Sequence, residues 1–545
     1  MNLYLYGAEG KWLMVDLGIT FSDESTPGID VIMPDIAFIE QAGRDLLGLV
    51  LTHAHEDHFG AVQYLWPRLR CPVYATPFTA ALLRLKLQET DFAAEVKIVE
   101  VPLSGSFKTG PFDVELVTVT HSIPEPNALV IRTRHGAVVH SGDWKLDPEP
   151  VLGKAADSDR FREIGEAGVL ALIGDSTNAM VSGSTGSESE VRAALEPLIA
   201  GCSQRVALAC FASNVARLQS ISEAAYACGR HCALVGRSLW RMHQAATETG
   251  YLKPPEPFVT EHDVGFLPRD KVVMVVTGSQ GEPRAALTRI AQGEHANVTL
   301  EEGDTVLFSS RDIPGNEKAI GRVRNLLVSQ GVRVITPDDA PGEGPIHVSG
   351  HPARDELVSM YQWLQPQTAI PVHGETQHLR AHAELARSCQ VPQTLIPEDG
   401  ALIRLAPGRP AIVDRVAHGR MALDGTRLIR VEDSETIRER HRMAFNGVAI
   451  VTVVLNRQGR VADAPQIAMM GVDEGEALAD LEADLEDILR DAVGQLPTAR
   501  RRDDETVRET ARIAVRRAIR HRLGKKPMTQ IHLVRQTGRG GGDQS

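Results

Sequence analysis

His53-Ala54-His55-Glu56-Asp57-His58 puts three imidazoles and the Asp57 carboxylate within six residues. The run ahead of it, Gly48-Leu49-Val50-Leu51-Thr52, is apolar and predicts a short buried strand. The run behind it, Phe59 to Leu65, predicts the start of a helix. Residues two apart on an extended chain share a side, so His53 and His55 face one point, while Asp57 and His58 turn into the helix and face another. That is the layout of a paired metal site, because imidazole and carboxylate are ordinary ligands of zinc-like ions.

Outward from this turn, more ligand-type side chains stand where strands are expected to end. Asn2–Tyr6 and Trp12–Asp16 read as a hairpin closing at Asp16. Phe112–Val119 and Ala128–Thr133 read as strands on either side of His121. Gly136–Asp143 and Leu170–Asp175 are strand-like runs that deliver Asp143 and Asp175 at their ends. Helix signals alternate with these strands, which predicts an α/β sandwich, and open sheets of that class collect function at strand ends.

From Val181 to Glu190 the composition turns to Ser, Gly, Thr and Glu, a domain boundary. A second α/β series follows. Its strands end in small polar runs such as Phe211-Ala212-Ser213-Asn214, Thr277-Gly278-Ser279-Gln280-Gly281 and Ser309-Ser310-Arg311-Asp312, which suit a phosphate at helix N-termini. Ile346-His347-Val348-Ser349-Gly350-His351 and Ile370-Pro371-Val372-His373-Gly374-Glu375 then bring histidines back, as if the chain returned to its first domain after an insertion. Beyond a charged stretch near Arg420–Arg442, read as a linker or surface helix, strands from Phe445 and helices over Glu476–Val493 and Thr506–Arg522 predict a small α+β domain. The second helix carries Arg512, Arg516, Arg517, Arg520 and Arg522, read first as a solvated face and second as a contact for RNA or a partner.

At 545 residues the chain exceeds one hydrophobic core, and two to four domains are expected. The formal net charge of −13 argues against a protein that coats nucleic acid non-specifically, but not against an enzyme holding it in a local groove. Neither a membrane-length apolar run nor a signal-peptide layout is present, which predicts a cytoplasmic protein. The six scattered cysteines fit reduced thiols; Cys228 and Cys232 flank His231, yet no second pair completes a structural zinc site.

The His53–His58 signature with His121 and Asp143 looks like that of the metallo-β-lactamase superfamily. Asp175, a long insertion, then His351 and His373 resemble its β-CASP nuclease branch. The phrases Gly174-Asp175-Ser176-Thr177-Asn178, Phe211–Val215, Thr277–Glu282, His347–His351 and Pro371–Glu375 are similar to the bacterial ribonuclease J family. That family's Gly-rich first strand has no counterpart ahead of Met1-Asn2.

The resemblance implies a metallo-β-lactamase αββα sandwich (1–182 and 346–425), an inserted β-CASP α/β domain (183–345), a linker (426–446), a C-terminal α+β domain (447–536) and a disordered tail (537–545). It implies two divalent ions, zinc foremost and manganese as the alternative. His53, His55 and His121 would hold one, Asp57, His58 and His373 the other, with Asp143 between them and Asp16 orienting the ligands. His351 and Asp175, with Asp57, form the implied catalytic set. Ser213, Asn214, His347, Ser349 and Gly350 form the implied pocket for substrate phosphate. The implied activity is a 5′-to-3′ exonuclease preferring 5′-monophosphorylated RNA, with endonuclease activity, in rRNA processing and mRNA decay. The implied assembly is a dimer or tetramer, with other RNA-decay proteins as further partners. A DNA-cutting β-CASP nuclease, a small-molecule metallohydrolase and a non-catalytic RNA scaffold are the competing readings.

Overall fold

The computed structural model describes residues 1–340, 344–474 and 476–536; the expected tail at 537–545 lies outside them. The chain divides into two compact units, Met1–Thr20 with Met33–His418, and Phe21–Ile32 with Gly419–Ser545.

The first unit holds two facing sheets. One has five strands in the order Tyr4–Ala8, Lys11–Val15, Leu46–Val50, Val73–Ala75, Ile98–Glu100; the other has seven, centred on Gly136–His140, Val169–Asp175 and Thr368–Val372. Alternation along Asn127–Thr133 shows why they stack. Leu129 and Ile131 pack with Leu13, Val15 and Val50 between the sheets, while Ala128 and Val130 turn outward. There they meet Phe161, Leu357, Met360 and Tyr361 of the covering helices Ser158–Ala167 and Arg354–Leu364. A strand with two apolar faces must be covered on both, and the αββα sandwich is the result.

Lys11–Val15 pairs parallel with Leu46–Val50, and Gly136–His140, Val169–Asp175 and Thr368–Val372 are mutually parallel. Asp16, His53, Asp143, Asp175 and His373 all follow the carboxyl ends of these strands.

The inserted segment forms its own six-stranded sheet, ordered Val259–Thr260, His231–Val235, Val272–Val276, Val206–Ala209, Thr305–Phe308, Arg333–Ile335, with every pairing parallel. Val272–Val276, the run Val-Val-Met-Val-Val, is buried throughout, as a strand covered by helices on both faces must be.

In the second unit Val448–Leu455 lies between Gln466–Met470 and Met528–Arg535, with helices Glu476–Gly494 and Asp504–Leu523 on one face. Residues 426–446, expected to be a linker or a surface helix, form strand Arg427–Arg430 and helix Glu435–Asn446. Strand Arg420–Asp424 pairs with Arg427–Arg430 and, on its other side, with Val31–Pro34. The expected return to the sandwich through residue 425 therefore stops sooner. Ile29, Ile32, Ala422 and Ile437 form the small core that draws this stretch into the second unit.

Candidate active site

His55 is the N-cap of the short helix Glu56–Phe59, so the chain leaves extended geometry between His55 and Asp57. His53 and His55 consequently point to one centre and Asp57 and His58 to a second. His53 Nε2 lies 3.1 Å from His55 Nδ1, and His121 Nε2 lies 3.0 Å from the same atom. At the second centre His58 Nε2 is 3.2 Å from Asp143 Oδ2, and His373 Nε2 is 3.2 Å from Asp57 Oδ2. Asp143 belongs to both groups, and one of its oxygens reaches within 4 Å of five imidazoles: His53, His58, His121, His351 and His373.

The outward nitrogens settle which way the inward ones face. Asp16 accepts the Thr52 hydroxyl proton at 2.8 Å, so the Thr52 oxygen is left to accept His53 Nδ1–H at 3.0 Å. His58 Nδ1–H donates to Asp16 at 2.7 Å, His121 Nδ1–H to the Gly350 carbonyl at 2.5 Å, and His55 Nε2–H to Ser213 Oγ at 3.0 Å. Thr177 donates to Asp175 at 2.7 Å and accepts His373 Nδ1–H at 2.8 Å. His53, His55 and His121 thereby each present a lone pair to the first centre, while His58 and His373 turn Nε2 toward the second. Three lone pairs about 3 Å apart cannot satisfy one another, whereas a cation satisfies all three; the donor set fits divalent metal ions.

Burial holds the His53 and His121 imidazoles well below their ordinary range, reinforced by neighbouring imidazoles, and pushes His55 down to about 4. At the second centre burial acts in the same sense but is outweighed by Asp143, Asp175 and Asp57, which push His373 up to about 10. Burial would raise the Asp143 carboxyl; His373, His58 and His351 hold it well below the usual carboxylate range.

His351 donates Nδ1–H to Asp175 Oδ2 at 2.8 Å and lies against His121 and His373, with ring centroids 5.0 Å and 5.5 Å away. Its free Nε2 is the face left for a substrate. Ser349 Oγ accepts from Asn178 at 2.8 Å and from the His351 amide at 3.3 Å, which leaves its proton to donate. A Cβ at Gly350 would come within 2.7 Å of the His121 ring, so the close backbone approach requires glycine.

His347 is held down to about 3 by burial together with Arg217, Lys145 and Arg311, and its Nδ1 has no hydrogen-bond partner among the described residues. Asn214 caps helix Val215–Ala227, accepting Arg217 N–H at 2.9 Å and donating one amide N–H to Glu188 at 3.1 Å, and is buried; the second N–H of its amide is not used in these bonds.

Family models match the chain over nearly its whole length. The Metallo-beta-lactamase superfamily covers residues 2–184; Ribonuclease J, beta-CASP domain, 203–327; the Zn-dependent metallo-hydrolase RNA specificity domain, 345–392; and the Ribonuclease J C-terminal domain, 435–536. A protein named Ribonuclease J from Sinorhizobium meliloti is 46% identical over 541 residues, covering 98% of this chain and 94% of the relative. The chain belongs to the ribonuclease J family. A second such relative, from Mycolicibacterium smegmatis, is 41% identical over 477 residues, covering 87% of this chain and 84% of the other. A crystal structure of a protein of unknown function from Enterococcus faecalis V583 matches with TM-score 0.51 at 16% identity, over 75% of this chain and 96% of that one, a likeness of fold.

Four residues of this ribonuclease J family chain that support the site carry no ligand signal in the sequence. Asn2 donates to the Asp57 carboxylate at 3.2 Å and reaches His58 Nε2 at 3.0 Å, its own oxygen held by Tyr4. Thr52 and Thr177 fix rings as described. Asn178 ties Ser349 and the His351 carbonyl to Arg311, 3.2 Å away in the inserted segment. Only the phrase Gly174–Asn178, already conspicuous at a strand end, pointed toward two of them.

Proposed function

We propose that this metal-dependent ribonuclease degrades RNA from the 5′ end, favouring a 5′-monophosphate, and also cleaves internally in RNA processing and mRNA decay. His53, His55 and His121 would hold one divalent ion and Asp57, His58 and His373 a second, with Asp143 within reach of both groups; zinc suits this nitrogen-rich set, with manganese the alternative. When bound, the two ions supply Lewis acidity at a phosphodiester.

The protein's own groups do the rest. Asp175 holds His351 so that Nε2 faces the reacting phosphate, where it donates a proton to the leaving oxygen or stabilises developing charge. The Ser349 and Ser213 hydroxyls, each already accepting from the site, donate to phosphate oxygens. His347, its free nitrogen set among Lys145, Arg217 and Arg311, favours an anion such as a terminal phosphate. The chain works in the cytoplasm as a homo-oligomer, alongside other RNA-decay proteins.

The observation that carries this reading is the inward-facing His53, His55 and His121 set, each ring locked by an outward N–H donation, beside the Asp175–His351 pair. Metal-loaded protein given end-labelled RNA and DNA of matched sequence tests it. Mononucleotides should appear from RNA alone, and His351→Ala should slow their release by about 10²–10⁴-fold. Comparable DNA cleavage, or equal rates on 5′-hydroxyl and 5′-monophosphate RNA, would count against it.

A further inference from the structure

A groove in the second compact unit, far in sequence from every metal-facing residue, has the chemistry of a nucleic-acid contact. It is a cavity of about 420 Å³ lined by Ser25, Val431, Ile437 and His441 together with Arg420, Arg438, Arg442 and one carboxylate residue, Glu432. Arg420 is neutralised by Glu432 at 3.1 Å. Arg438 donates to the Asp433 carbonyl at 3.3 Å, and neither it nor Arg442 has a carboxylate partner among the described residues. In a chain of net charge −13, two unneutralised guanidiniums beside one cavity create a local positive field.

Helix Glu435–Asn446 adds a second property. Arg438, His441, Arg442 and Phe445 stand at i, i+3, i+4 and i+7, one face of the helix. The Phe445 ring is 73% exposed and stacks on His441, centroids 5.5 Å apart and planes 15° from parallel. An aromatic face held in water costs hydration unless something covers it. Bases stack on such rings, and guanidiniums beside them pair with the backbone linking those bases. An acidic peptide would answer the charge but leave the ring without a matching partner.

We propose that this groove binds single-stranded RNA: Arg438 and Arg442 contact backbone phosphates, and a base stacks on Phe445. The proposal rests on the ribonuclease reading above for the identity of the polymer, but not on catalysis. The groove holds nucleotides beyond those the active site occupies, so its contribution appears with long RNA.

The test uses full-length protein. Binding of an unstructured RNA of about 30 nucleotides is followed by fluorescence anisotropy in a His351→Ala background, so affinity is read without cleavage. Arg438→Ala/Arg442→Ala should weaken it about 10-fold and flatten the dependence of log affinity on log salt by about 1.4, the value for two lost single-strand phosphate contacts. Phe445→Ala should weaken it about 10-fold with the salt slope unchanged, since stacking releases no counterions. In the otherwise wild-type background, the double variant should cleave a substrate of about four nucleotides at the parental rate, because the active site alone occupies so short a chain. Unchanged affinity and salt slope for the long RNA would overturn the groove, and would be the outcome if its occupant were an acidic protein. An equal loss on short and long substrates would overturn it too, marking a general defect. If no RNA is cleaved by the parent protein, the ribonuclease reading fails while the anisotropy result still judges the groove.

Discussion

At the scale of single residues, Asp16 has the widest reach. Its backbone sits at φ 59°, a left-handed conformation that aims the carboxylate back beneath the His53–His58 turn. One oxygen accepts the Thr52 amide at 2.8 Å; the other accepts the Thr52 hydroxyl at 2.8 Å and His58 Nδ1–H at 2.7 Å. Through Thr52 it also fixes His53, so one carboxylate orients a ring at each centre. Asp16→Asn leaves a single acceptor oxygen, and metal affinity should fall by about 10–100-fold, read by metal retained against a chelator series. Undiminished retention would show that the rings hold their orientation without it. The candidate ligands were legible as a cluster because imidazoles gathered on one turn have few other uses, and the structure brings their nitrogens together. Thr52 and Asn178 were not, since hydroxyl and amide residues near turns are ordinary, and only register places their atoms.

Whole elements show the same divide. The strands that deliver Asp143, Asp175 and His373 announce themselves as apolar runs broken by polar residues. What supports them from behind does not. Helix Thr376–Ser388 places His382, wholly buried, between Ser176 Oγ and Tyr361 Oη, each 2.8 Å away, directly behind the strand end that carries Asp175. Burial holds this imidazole down to about 4, with Asp175 pulling weakly the other way. In the unfolded chain it would protonate near 6.5, so the unfolded state binds the extra proton first as pH falls. Its contribution is therefore complete above about pH 6.5 and is lost on the way down to about 4, amounting to about 2 kcal/mol by pH 5. His382→Gln removes that titration. The gap in unfolding midpoint between wild type and variant should narrow from pH 7 to pH 5; a constant gap would mean His382 is protonated in the folded state.

Over the whole molecule, the sandwich and insertion follow from strand and helix alternation, because contacts local in sequence build both. Residues 21–32 joining the second unit could not be read that way: Val31–Pro34 meets Arg420–Asp424 from far along the chain, and neither strand's pattern names its partner. The tie between insertion and sandwich is similarly non-local and is built from charge. Arg217, wholly buried on helix Val215–Ala227, donates to Glu188 at 3.1 and 3.0 Å, to the Ser309 carbonyl at 3.0 Å and to the Ile346 carbonyl at 3.2 Å. Ile346 opens the His347–His351 loop, so the pair bears on where Gly350 meets His121. Arg217→Met strands a buried carboxylate and should cost about 3–5 kcal/mol, with cleavage falling alongside as the loop loses its anchor. Adding Glu188→Leu removes the unpaired charge and should recover most of the stability while leaving the Ile346 carbonyl with the Ser309 hydroxyl alone, 2.6 Å away, so cleavage should recover less than stability does. Thermal unfolding and RNA turnover measured on the wild type, both single variants and the double separate the two effects. Recovery of turnover in step with stability would mean that Arg217 serves the fold alone and that the loop is positioned by something else.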